Sequence, residues 1–279
     1  MQRDRNPILT GFAYAVYAFL FAPIVILILF SFNDSKRNFA WRGFTLKWYP
    51  ELFSNDALLS ALGVTLQVAL VSVIVTTMLG TLLGLGLARI RSGRAAGAAD
   101  TLILLPMVTP EVVTGISLLL FFALLMGANG SMLQIAIAHI AFSISYVAII
   151  VRARAVSLDP RMEEAARDLG ATPRETLRYV TLPLLGPAIA AGALISFALS
   201  FDDLIITSFN AGVGSSTLPL YIYSRIRFGV TPEINAISTL VVGGTAIAIL
   251  VAMRVSARRA RQLAAAPPPA AATPQGSAS

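Results

Sequence analysis

Cysteine is absent from this chain, and histidine occurs once, at His139. Without thiols there is no disulfide framework and no cysteine-ligated zinc or iron–sulfur centre. A single imidazole also leaves most metal and acid–base constellations without their parts. Lysine is confined to Lys36 and Lys47, and neither lies in a G-x-x-x-x-G-K-[ST] phosphate loop, so any ATP hydrolysis belongs to another polypeptide. Charge is scarce throughout: 13% of residues are charged, against about 25% in a soluble domain. A net charge of +7 would suggest nucleic acid in a soluble protein. Here the basic residues flank apolar runs, where membrane topology accounts for them, and nucleic-acid binding is excluded. With no convergent nucleophile–base pair in view, a membrane enzyme is disfavoured too.

What the chain has in abundance is apolar length, with 56% hydrophobic residues and a mean hydropathy of +0.76. A membrane span needs about 20 apolar residues, because the hydrocarbon core is about 30 Å thick and a helix rises about 1.5 Å per residue. Six windows qualify, near 8–32, 58–88, 101–126, 132–151, 184–200 and 234–253. The first is too long for the apolar core of a signal peptide and lacks a small-residue cleavage site, so it is expected to stay as a span. The uninterrupted stretch 112–151 must be split, and Gly127-Ala128-Asn129-Gly130-Ser131 is the natural turn. Placing the N-terminus in the cytoplasm puts 15 of the 21 Lys and Arg residues inside, so the positive-inside rule predicts both termini in the cytoplasm. Trp41, Trp48, Tyr49 and Pro50 in the first outer segment suit a stretch anchored among headgroups. Residues 1–7 read as a cytoplasmic N-terminus, 8–257 as one permeating domain, and 258–279 as a disordered Ala/Pro-rich tail. Gly80, Gly84 and Gly86, with Gly243-Gly244, are expected to permit close helix packing.

The longest charged interruption is the loop 152–183, which carries six Arg and five acids between Arg152 and Arg178. Asp159-Pro160 is a helix start, since Asp accepts N–H bonds and Pro fits the first turn. That helix should end near Gly170. Thr172-Pro173-Arg174-Glu175 reads as a capping box opening a second short helix, which should stop before Leu182-Pro183. The product is a helix–turn–helix elbow on the cytoplasmic face, too short to be stable without packing or a partner.

The residues Glu164-Ala165-Ala166, Gly170, Val180 and Leu182-Pro183, at this spacing in a cytoplasmic loop, resemble the signature loop of the membrane subunits of bacterial ABC importers. Further segments resemble the putrescine/spermidine permeases of that family. These are Pro106-Met107-Val108-Thr109-Pro110-Glu111, Ser200-Phe201-Asp202-Asp203-Leu204, Thr217-Leu218-Pro219 and Gly229-Val230-Thr231-Pro232-Glu233. The resemblance implies an all-α polytopic protein of the bacterial inner membrane, with six transmembrane helices in the type I ABC importer permease fold. It implies a transport subunit with no catalytic residues and no cofactor of its own, ATP and Mg being held by the partner ATPase. The expected partners are a second homologous permease, two ATP-binding subunits, a periplasmic solute-binding protein and the lipid bilayer. It assigns Glu163, Glu164, Ala165, Ala166, Asp168, Gly170, Leu182 and Pro183 to coupling with the ATPase. The cargo it implies is a small cation such as putrescine or spermidine. Opines, aminophosphonates and amino-acid derivatives are alternatives on the same scaffold, and a stand-alone secondary transporter or channel is the alternative outside it.

Three acids are candidates for the cargo path. Glu111 falls about ten residues into the third predicted span, beside Pro106 and Pro110, where a charge costs about 2.5 to 3.5 kcal/mol and so should face a wet interior or a polar partner. Asp202 and Asp203 end the fifth span and read as an acidic outer mouth or as a helix end among headgroups. His139, with no charged neighbour in sequence, is expected to be a neutral imidazole bonded to an adjacent helix.

Overall fold

In the computed structural model, residues 7–35, 40–90, 93–127, 129–227, 229 and 231–264 are described. Among them the chain is helical, with a single isolated bridge between Asn33 and Phe44. It divides into two compact units, one formed by the N-terminal segment to Leu52 with the C-terminal helix, the other by Phe53–Gly229. What was expected of residues 1–6 and 265–279, and of Lys36 and Arg37, lies outside the described residues.

In the first unit, α1 (Pro7–Phe30) packs on the last helix, Pro232–Ala264, which runs on into the stretch expected to lack structure. Between α1 and α2 (Trp48–Phe53), the chain folds around Asn33. The Asn33 side chain donates to the Ala40 carbonyl (2.9 Å) and accepts from the Arg42 N–H (2.9 Å), while the Trp48 indole donates to the Asn33 carbonyl at 2.8 Å. Tyr49 and Ser31 share a hydroxyl bond of 2.8 Å. Trp48 is therefore a buried structural residue, 3% exposed, rather than an interfacial anchor. Of the two tryptophans, Trp41 keeps the open ring.

The second unit is built on three helices, α3 (Asp56–Ala88), α6 (Met132–Val156) and α9 (Leu182–Phe201). All three are apolar around their circumference, so small residues, not an amphipathic stripe, select the packed faces. A Cβ on Gly80 would lie 2.7 Å from Val147 Cβ, and one on Gly84 would lie 2.6 Å from the Ala148 carbonyl oxygen. From the other side, a Cβ on Gly192 would come within 3.1 Å of Val147 Cγ1. Val147 is thus held between two glycine surfaces. At Gly86, Gly243 and Gly244 an added Cβ would meet nothing within 4 Å among the described residues, so the close packing expected of them is not made within this chain. Leu85, Val147, Val151 and Leu185 make the buried cluster at the end of α3 and α6.

The third predicted span is not one helix. It divides into α4 (Arg94–Val108) and α5 (Glu111–Met126), bent by 101°. Pro110 supplies no N–H for a continuing helix, and its ring pushes Thr109 into extended backbone (φ −70°, ψ 130°). Among the described residues four helices are long and apolar enough to cross a membrane, or five if the bent pair is one span. α5 then packs on α10 (Ile205–Asn210), where Phe122, Ala138, Phe142 and Ile206 form a buried cluster with α6. α11 (Leu218–Ile226) returns to α3, its first N–H donating to Thr65 Oγ1 at 2.7 Å. α4 is tied to α6 by an Asp100–Arg152 ion pair.

Candidate functional site

The charged loop folds into α7 (Arg161–Asp168), a turn, and α8 (Pro173–Thr176). Asp159 Oδ1 accepts the Arg161 N–H at 3.0 Å, the start that the Asp-Pro pair foretells. The exit from α7 is a Schellman turn: Gly170 N–H donates to Arg167 O (2.8 Å) and Ala171 N–H to Ala166 O (3.1 Å). Gly170 takes φ +89° there, a conformation costly for any residue with a Cβ. Thr172 and Glu175 then form the reciprocal capping box, Thr172 N–H to Glu175 Oε2 at 2.8 Å and Glu175 N–H to Thr172 Oγ1 at 3.3 Å. The Thr172 amide, followed by its hydroxyl, holds the Glu175 carboxyl below the usual carboxylate range.

The second helix does not stop before Leu182-Pro183. A π-helical turn, Leu177–Thr181, joins α8 to α9, making one helix from Pro173 to Phe201. Pro183 would meet the carbonyl four residues back and has no N–H to offer it. The wider turn, with the Leu182 N–H reaching Leu177 O, absorbs that misfit without breaking the helix.

Among the coupling candidates, the structure separates two groups. Glu163 turns towards its own bundle. It accepts the Thr181 hydroxyl at 2.7 Å and lies 3.6 Å from both Arg89, just past the end of α3, and Arg167. It lines a recess of about 190 Å³ with Leu85, Leu158, Asp159 and Met162. Leu182 packs on the Leu85–Leu185 cluster. Glu164, Ala165, Asp168, Gly170 and Pro183 are exposed, with Ala166 half-buried. Beside them Leu169 projects with 90% of its surface open.

The three acids occupy three different environments. Glu111 is the first residue of α5, exposed at the 101° break, not embedded within a continuous span. Its carboxylate lies in the first turn, where the helix dipole favours it. Asp202 closes α9 and is exposed, whereas Asp203 turns inward, its side chain 8% exposed. Asp203 Oδ2 accepts the Thr207 N–H and hydroxyl, each at 2.7 Å, capping α10.

His139 is the residue whose surroundings the sequence did not reveal. Its Nε2 lies 3.2 Å from Asp203 Oδ2 and 3.1 Å from Thr207 Oγ1, and its Nδ1 lies 2.8 Å from Ser200 Oγ. The expected bond to a neighbouring helix is present, but a carboxylate 64 residues away completes it. One signal was available: His139, Ser200, Asp203 and Thr207 are polar groups in or beside apolar helices, two of them four residues apart.

Residues 80–262 match the family described as binding-protein-dependent transport system inner membrane component. The chain belongs to that family. Members similar to it include the putrescine transport system permease protein PotI of Escherichia coli strain K12, 42% identical over 88% of this chain and 89% of that one. The spermidine/putrescine transport system permease protein PotC of the same strain is 42% identical over 82% of this chain and 86% of its own. PotC of Haemophilus influenzae is 38% identical over 83% and 90%. Among solved structures, a bacterial ABC transporter involved in alginate import aligns with a TM-score of 0.67 at 18% identity, covering 91% of this chain and 99% of that one. The MetNI methionine ABC transporter aligns at 0.60 and 18% identity, covering 76% and 97%. The fold is therefore that of ABC importer permeases, and this family member is a multi-pass membrane transport component.

Proposed function

We propose that this chain is the permease subunit of an ATP-driven importer that moves a small cation, putrescine or spermidine, across a bacterial inner membrane. The observation that carries the cargo is the 42% identity, over most of the chain, to permeases named for those two polyamines. In this reading six spans cross the membrane, the sixth being α12 (Pro232–Ala264), with both termini in the cytoplasm. A second homologous permease, two ATP-binding subunits and a periplasmic solute-binding protein complete the transporter, and ATP with Mg is held on the ATPase.

The elbow receives the force. Its exposed face, Glu164, Ala165, Asp168 and Leu169, offers a carboxylate pair and an open leucine to a groove of the ATPase. Glu163 stands behind that face and ties it to Arg89 and Thr181, so movement of the elbow is passed to the ends of α3 and α9. At the other end, Asp202 and Glu111 give a cation weak electrostatic guidance while affinity resides in the delivery protein.

The test is uptake of labelled putrescine by proteoliposomes containing the copurified complex. Uptake that needs ATP and is lost in Glu164→Lys together with ATPase copurification is the expected result. Transport by this chain alone, without ATP, would overturn the reading in favour of a secondary transporter.

A further inference from the structure

The packing of Val147 between Gly80 and Gly192 fixes the register of α3, α6 and α9 against one another. The Ser72 hydroxyl of α3 bonds to the Ala136 carbonyl of α6, and Gly84 meets Ala148, so these two helices run parallel. His139 bonds Ser200, and Val147 meets Gly192, so α9 runs antiparallel to them. One helical turn from the Val147 contact, towards the His139 end, the facing residues are Thr76, Ser143 and Ser196. All three are buried, at 0%, 1% and 0% exposure. Among the described residues, none of the three side-chain oxygens has a hydrogen-bond partner.

Three buried hydroxyls at one level of a protein core call for a shared polar partner. Each oxygen is both donor and acceptor, and none carries charge. A cation would demand carboxylates or converging carbonyls, and an apolar molecule would leave the hydroxyls unpaired. Water satisfies them, since a buried water makes about three hydrogen bonds to otherwise unsatisfied groups.

We propose that Thr76, Ser143 and Ser196 bind one internal water where α3, α6 and α9 meet. It extends the polar column that begins at Asp203, His139 and Ser200 by one turn, and Val147 closes the column beneath it. The three helices are thereby pinned at a point where the apolar effect supplies little force, because lipid is as apolar as the side chains. The site does not depend on which solute the protein carries.

A map of the purified protein in lipid nanodiscs, with the subunits that copurify, at a resolution that shows ordered water, tests it. The expected result is a peak within hydrogen-bond distance of the three oxygens, lost in the T76V/S143A/S196A variant. Hydroxyls bonded to one another or to carbonyls, with no peak between them, overturn the proposal, as does a peak that persists in the triple variant. Thermal unfolding gives a second reading. S143A alone should lower Tm by about 2–4 °C, and the triple variant, with no polar group left unpaired, should recover at least half of that. A single variant as stable as the parent, or a triple variant that accumulates the losses, overturns it.

Discussion

At the scale of single residues, Glu163 and Glu164 are neighbours in sequence with opposite assignments. Glu163→Ala leaves the buried Thr181 hydroxyl without its short acceptor and separates Arg89 and Arg167 from their carboxylate. The ion pairs, at 3.6 Å and partly exposed, contribute little, so the cost is about 1 to 2 kcal/mol and comes mainly from the hydroxyl. Glu163→Gln keeps an acceptor and should recover most of that stability in a thermal-shift assay. Neither variant should lose the ATPase on copurification, in contrast to Glu164→Lys. The two aspartates diverge likewise. Asp202→Asn removes an exposed charge, which about 6 Å from a cation in water is worth about 0.7 kcal/mol, so uptake at subsaturating polyamine should fall roughly threefold. Asp203→Asn instead disturbs the cap of α10 and the His139 contact, and its signature is lost thermal stability. An Asp202→Asn protein with unaltered uptake would remove that residue from the cargo path.

At the scale of elements, glycines that look alike in sequence separate sharply. Gly84→Val drives a side chain into the Ala148 backbone carbonyl, which cannot move aside, and should cost about 1 to 3 kcal/mol. Gly86→Ala, two residues on, meets nothing within 4 Å among the described residues and should be neutral or stabilising by up to about 1 kcal/mol, from helix propensity. Denaturation midpoints of the two variants in one detergent check the contrast. The capping box gives a pH dependence. Because the folded Glu175 carboxyl titrates below its unfolded counterpart, the stabilisation it brings is present above the unfolded value and is lost as pH falls through the folded one. An NMR titration of Glu175 in the embedded protein should therefore show a lower midpoint than the same residue in an unfolded peptide, and equal midpoints would refute the box.

The local devices, Asp159, Gly170 and Thr172-Glu175, were legible because caps and turns are written in adjacent residues. The continuation from α8 into α9 was not. Leu182-Pro183 reads as a stop, and a turn one residue wider than α, Leu177–Thr181, carries the helix through it. The third span failed for the opposite reason, since its composition passes for a single crossing while Thr109-Pro110 breaks its backbone. The partner of His139 was hidden because a contact across 64 residues leaves no local periodicity.

At the scale of the whole molecule, orientation is open to a direct experiment, and the cysteine-free sequence makes it clean. Single cysteines replacing Ala165 and Asp202 need no altered background. In intact spheroplasts an impermeant maleimide should label the cysteine at 202 and not the one at 165, and inverted vesicles should reverse the pattern. Labelling of both from one side would contradict a fold that carries the elbow on the cytoplasmic face.

The join at Leu177–Thr181 has a mechanical consequence. Because Pro173–Phe201 is one helix of 29 residues, it is a rod about 43 Å long with a crank at one tip. Were the elbow hinged, a push on it would fold the hinge and dissipate. Welded as it is, a tilt of about 10° at the crank sweeps the far tip, at Asp202, through about 7 Å, since the displacement is the rod length times the sine of the angle. That distance exceeds the span of an ion pair, so in the proposed transporter a small stroke at one face would suffice to make or release a contact at the other.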